Sequence, residues 1–151
     1  LDSLLDVFPD ARVIHLHRDV VQTVTSGASL FAVFRSTYSD AVDAAEVGRY
    51  QLDTTALWTD RAMAVRDRRG DSAFIDLPFA ELVADPKAAA RRLCAACDIG
   101  WSDAADTAAD AALVDLNAQH GAHRYTPADF GLDPDEIRAR LARYATRFGI
   151  G

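Results

Sequence analysis

Two hydrophobic periods alternate along this chain, and they meet at one place. Val13, Ile14 and Leu16 make a short apolar run of the kind found in a buried strand. Val21, Val24, Ala28 and Phe31 then recur at helical spacing, so the chain turns from strand to helix at Arg18-Asp19. Asp19 has the chemistry of a helix N-cap, with Gln22 three residues on to complete a capping box. The pattern predicts that this helix runs from Val20 to about Phe34, with Gly27 and Ala28 allowing close packing.

The remaining pattern is mostly helical. Leu1, Leu4, Leu5 and Phe8 share one helical face before Pro9-Asp10 turns the chain. A polar loop is expected over 36–43, then a long helix from Glu46 to about Arg66 whose apolar residues are unevenly spaced. Arg68-Arg69-Gly70-Asp71 is a turn, and 72–77 reads as a second short strand ended by Pro78. One or two helical turns over 79–83 follow, and Asp85-Pro86 caps the next helix. An alanine-rich helix extends from Asp103 to about His120. A polar-aromatic connection leads to a capped start at Asp133-Pro134, with Ile137, Leu141, Tyr144 and Phe148 as its stripe and Gly149 beyond its end. The expectation is an α/β chain with two strands among six or so helices.

Composition narrows the partners. A length of 151 residues fits a single domain over 1–151, large enough for a real core. The net charge of -7 argues against a nucleic-acid or anionic-membrane surface, although a local arginine cluster can still hold a small anion. Of the 16 basic residues, Lys87 is the only lysine. No apolar run reaches the length of a membrane span and no signal-peptide pattern opens the chain, and two cysteines make no disulfide framework, so a reducing cytoplasm is expected. The first residue is Leu1, which hints at a missing upstream segment.

The strand-to-helix switch carries the main candidate chemistry. A guanidinium at the end of a parallel strand, beside a helix N-terminus, is where α/β proteins bind anions. Ser26 lies about 9 Å along the helix from Val20 at the usual rise, so Arg18 and Ser26 could hold one phosphate. The competing reading has Arg18 pairing with Asp19 or Asp40, and Ser26 bonding back within its own helix. Cys94 and Cys97 have Cys-x-x-Cys spacing but sit near a helix C-terminus, so they read as packing residues. His15 and His17 share a strand face, yet the sequence offers no convincing third metal ligand nearby, and a polar cleft lining is the favoured role. Phosphate-loop, dinucleotide and nucleophile-elbow motifs are absent, so no catalytic or metal residue is assigned.

The segment Phe8-Pro9-Asp10-Ala11-Arg12-Val13-Ile14-His15-Leu16-His17-Arg18-Asp19 resembles the core of bacterial sulfotransferases that use 3′-phosphoadenosine 5′-phosphosulfate. In that family an arginine at the strand end and a serine eight residues later bind the nucleotide's 3′-phosphate, the spacing of Arg18 and Ser26. Phe79-Ala80-Glu81-Leu82-Val83-Ala84-Asp85-Pro86 resembles the family's Tyr-x-Asp-Leu-x-x-Asp-Pro segment. His123-Arg124-Tyr125 followed by Phe130-Gly131-Leu132 resembles its C-terminal signature, and Arg124 falls near where basic residues of the family approach the same phosphate. Val20 replaces a usual proline and Phe79 a usual tyrosine. The family's phosphosulfate loop and its Lys-Ser-Pro-x-His base segment have no counterpart in the chain.

The resemblance implies the C-terminal half of a three-layer, P-loop-NTPase-like sulfotransferase fold, helix-rich with about two parallel strands. It implies transfer of a sulfuryl group from the phosphosulfate donor to a small-molecule hydroxyl acceptor, without metal. Arg18, Ser26 and Arg124 are then the donor-binding residues, and the chain alone is inactive. A missing N-terminal half or self-association would cover the exposed strand edges. The alternatives are a catalytically inactive nucleotide-binding or interaction module, and a remnant in which Arg18 serves only the fold.

Overall fold

The computed structural model describes residues 1–119 and 125–150, with the side chains of 115–119 left aside. In chain order the elements are α1 (Asp2–Val7), β1 (Val13–His17), α2 (Val20–Ser36), α3 (Ala44–Arg69), β2 (Phe74–Pro78), α4 (Phe79–Ala84) and α5 (Pro86–Ala96). Then follow α6 (Asp103–Gln119), a 3-10 turn (Pro127–Phe130), α7 (Pro134–Arg140) and α8 (Ala142–Phe148). The described residues form the helix-rich α/β chain with two parallel strands that the resemblance implies. They group into two compact units. One contains Leu1, Arg18–Gly70 and the described residues 125–150, and the other Asp2–His17 and residues 71–119.

The first unit is all helical, and its apolar core is built by α2, α3 and the 127–150 segment. Val20, Val24 and Ala28 of α2 are buried with Val47, Leu52, Ala56 and Met63 of α3, and with Phe130, Leu132, Ile137, Leu141 and Tyr144. Helix α3 is longer than its periodicity suggests because Asp43 starts it early: its carboxylate accepts from the backbone N–H of Ala45 and of Glu46. Its spacing looks uneven because Gly48, Gln51 and Arg66 are buried along with the apolar residues. Arg66 lies 4.9 Å from the ring centre of Phe148. Arg143 and Arg147 of α8 grip Asp67 of α3 at 2.8 Å and 2.5 Å, which holds that carboxyl below its usual range.

The stripe expected to be one helix is broken at Leu141, where α7 ends with φ −107° and ψ 12° before α8 begins. Its apolar residues still reach the core, with Ile137 fully buried. The connection at 126–132 also contributes: Thr126 and Asp129 form a reciprocal capping box, and Gly131 takes a left-handed φ of 60°. This brings the Phe130 backbone onto Gly48 of α3. A Cβ at Gly48 would lie far inside van der Waals contact with the Phe130 carbonyl oxygen. Gly48→Ala is therefore expected to cost about 1–3 kcal/mol through overpacking. A urea melt showing an unchanged midpoint would refute that close approach.

The second unit holds the sheet. β1 and β2 run parallel, with Val13 opposite Phe74, His15 opposite Asp76 and His17 opposite Pro78. Phe74 and Leu77 of β2 are buried, whereas Ile14 and Leu16 of β1 are 48% and 43% exposed. Of the α1 apolar face only Leu5 is buried. Asp85 caps α5 through the N–H of Ala88, with Pro86 in the first turn as expected. Cys94 and the C-cap residue Cys97 are half-buried free thiols.

α5 and α6 are joined by charge. Lys87 meets Asp106 and Asp110, each at 2.7 Å, while Arg91 and the Trp101 indole N–H also bind Asp106. The Lys87 hydrogen bond first, then those from Trp101 and Arg91, hold the Asp106 carboxyl far below the usual carboxylate range. A depressed folded-state pKa gives stability that is present above the unfolded value near 4 and lost as pH falls through the folded one. Asp106→Asn should therefore lower the melting temperature at neutral pH, and the two proteins should converge in strong acid. A gap that persists in strong acid would mean Asp106 acts by packing alone.

Candidate functional site

Arg18 and Ser26, the two residues expected to hold an anion, both lie in the first unit. Arg18 follows directly on β1, and Asp19 ends the extended backbone and caps α2 by accepting from the Gln22 N–H at 2.8 Å. The capping box is only half made. The Gln22 side chain turns to Arg18 instead, and its Oε1 accepts from Arg18 Nε at 3.2 Å. Thr23 adds a second tie, donating to the Asp19 carbonyl at 2.9 Å. These bonds hold the half-buried guanidinium beside the first turn of α2.

Ser26 stands one helical turn beyond Gln22, on the same face, and is half-buried. Its neighbours Thr23 and Thr25 bond back to the carbonyls of Asp19 and Val21, at 2.9 Å and 2.6 Å. The Ser26 hydroxyl makes no such bond with the described residues, so its donor is not consumed by the helix. Gly27 beside it lies against the Gln51 side chain, where a Cβ would overlap the amide. The Gln51 amide nitrogen donates to Thr55 at 3.2 Å, and its Oε1 is buried without a hydrogen-bond partner among the described residues.

The groups here are of the kind that can bind an anion. Arg18 and the Ser26 hydroxyl lie along one edge of α2, and the Gln22 amide between them accepts from Arg18 alone among the described residues. The helix N-terminus adds less, because the Asp19 carboxylate already takes an N–H there. Sequence reasoning singled out Arg18 and Ser26 and used Gln22 only as a capping partner. Its four-residue spacing to both was the available signal. Arg124, the third expected residue, lies outside the described residues.

His15 and His17 do share a strand face, but His17 does not line a cleft. It is buried at 3% exposure, and its Nε2 sits 2.8 Å from Asp76 Oδ1. At the far end of α2 an open pocket of about 540 Å³ is lined by Phe34, Arg35, Tyr38, Val42 and Glu46, with Arg35 and Glu46 paired at 2.9 Å. Among the described residues no helix is long and apolar enough to cross a membrane.

Comparison with known proteins gives a family. The family model described as "Sulfotransferase family" matches residues 1–103. Sulfotransferase STF9 from Mycobacterium avium superposes with a TM-score of 0.80 at 27% identity, covering 99% of this chain and 39% of its own. Sulfotransferase STF1 from Mycobacterium tuberculosis H37Rv gives 0.77 at 27% identity, over 94% of this chain and 36% of its own. The chain thus spans less than two fifths of either protein. A search of curated proteins found no match.

Proposed function

The chain belongs to the sulfotransferase family, and on that premise we propose that it anchors a 3′-phosphoadenosine 5′-phosphosulfate donor for sulfuryl transfer to a small hydroxyl acceptor. Arg18 and Ser26 hold the donor's 3′-phosphate, with Arg124 as a third contact. The segment acts as the C-terminal portion of a sulfotransferase domain. One observation carries the reading: the Gln22 amide holds Arg18 along the face that presents the Ser26 hydroxyl.

The role of these residues follows from the reaction. Sulfuryl transfer resembles phosphoryl transfer, with in-line attack and charge gathering on the equatorial oxygens and the leaving phosphate. It requires a base at the acceptor hydroxyl and cations at the leaving group. Arg18 and Ser26 grip the nucleotide away from the reacting sulfur. Their contribution is positioning, which is worth several kcal/mol of barrier when it sets the attack geometry. The reading assigns no base among the described residues.

Calorimetry tests this directly. 3′-Phosphoadenosine 5′-phosphate should bind more tightly than adenosine 5′-phosphate, and Ser26→Ala should narrow the gap by about ten- to a hundredfold, the worth of one hydroxyl bond to a charged group. Equal affinity for the two nucleotides in a folded sample would defeat the assignment. A nucleotide-binding module without catalysis is the second reading, favoured by the burial of His17 against Asp76.

A further inference from the structure

The strand register assembles a second constellation, independent of the nucleotide site. β1 presents His15 and His17 on one face, and the parallel pairing sets Asp76 of β2 directly opposite His15. One ligand atom from each of the three residues lies within 4.8 Å of the others. The third ligand that local sequence did not offer is therefore supplied by the neighbouring strand. We propose that His15, His17 and Asp76 form a binding site for a divalent transition-metal ion, with zinc as the fitting case.

The donor set favours this ion. Two imidazoles and one carboxylate suit zinc and its neighbours in the transition series, whereas magnesium and calcium take oxygen ligands. Around a tetrahedral zinc, with bonds of about 2.0–2.2 Å, ligand atoms stand about 3.4 Å apart. The His17–Asp76 pair, at 2.8 Å, is slightly closer than that, and the full set extends to 4.8 Å, so small side-chain rotations bring all three to one centre. The ring centres of His15 and His17 already lie 4.3 Å apart.

Rigidity and access also agree. The His17 side chain is 2% exposed and fixed by its packing, whereas that of Asp76 is 40% exposed and His15 is half-buried, leaving a path for entry and a fourth position for water. Behind the carboxylate, Arg92 donates to the main-chain oxygen of Asp76 at 3.2 Å while its Nε binds Glu81 at 2.7 Å. That outer contact steadies the backbone carrying the ligand. Three ligands from two strands would also fasten the β1–β2 pair, because an ion bound only by the folded protein stabilises it.

The experiment is a zinc titration of the chelator-stripped protein by calorimetry, repeated with cobalt(II) in the visible spectrum. One equivalent should bind and raise the melting temperature, with d–d bands of a nitrogen- and oxygen-liganded ion. His15→Ala and Asp76→Asn should each weaken binding roughly tenfold or more. Both residues are accessible, so these variants avoid the buried His17, and circular dichroism verifies that they fold. A Cys94→Ser, Cys97→Ser double variant should bind as the parent does. The proposal fails if no saturable binding occurs, or if both ligand variants bind as the parent does. It also fails if cobalt shows intense sulfur charge-transfer bands that vanish with the cysteines. In that case His17 and Asp76 form a hydrogen-bonded pair and nothing more.

Discussion

Arg18→Ala is expected to lower affinity for 3′-phosphoadenosine 5′-phosphate by about ten- to a hundredfold, the range for losing charge-assisted hydrogen bonds to a phosphate. Affinity for adenosine 5′-phosphate should not change, because that nucleotide lacks the 3′-phosphate that Arg18 is proposed to grip. The contrast separates a specific contact from a general loss of positive charge. Arg18→Lys should restore only part of the preference, since an ammonium cannot reproduce the planar fork of the guanidinium. Gln22→Ala should fall between parent and Arg18→Ala, because it frees the guanidinium without removing it. If Arg18→Ala weakens both nucleotides equally, the arginine supplies long-range attraction and the 3′-phosphate is held elsewhere. Salt dependence gives an independent reading, as a screened long-range effect would fade at high ionic strength.

Turnover carries the larger effect. The 151-residue chain, assayed alone with radiolabelled donor on phenols, alcohols and sugars, is expected to be at least about ten thousandfold slower than STF9 assayed beside it. Loss of general-base help costs about two to four orders of magnitude, and loss of contacts to the leaving group adds a comparable factor. Among the described histidines, His17 is poorly placed to replace that base. His17 is buried and committed to Asp76, so it is oriented by the sheet and not by an acceptor. Measurable turnover that disappears on His15→Ala or His17→Ala would overturn this account and place the base on β1.

What could be read ahead of the structure was local. The turn at Arg18-Asp19, the cap on α2, the Asp85-Pro86 start of α5 and the left-handed Gly149 all depend on residues within one helical turn of each other. The eight-residue spacing of Arg18 and Ser26 spans about two helical turns, so it too can be read from the chain. The role of Gln22 was misjudged because two partners compete for one side chain, and only geometry decides between the Asp19 amide and the Arg18 guanidinium. The break at Leu141 left no mark, since the apolar stripe continues across it and both short helices face the same core. The meeting of Asp76 with His15 and His17 depends on strand register, which hydropathy does not encode between segments so far apart. A lone carboxylate inside the apolar run Phe74-Ile75-Asp76-Leu77 was the one trace it left.

The distance between the paired strands also sets an order of events during folding. His17 and Asp76 are 59 positions apart in the chain, with α2 and α3 between the two strands. Closing so long a loop costs entropy before any strand contact offsets it, so non-local pairing of this kind is slow. The α2–α3 contacts join consecutive helices across a short connection and need no such closure. Helical structure in α2 and α3 is therefore expected to precede the β1–β2 ladder, leaving Ile14 and Leu16 unpaired on a nascent strand in the interval. That interval is when an apolar strand segment is most open to pairing with another chain, so the yield of refolded protein should fall as its concentration rises.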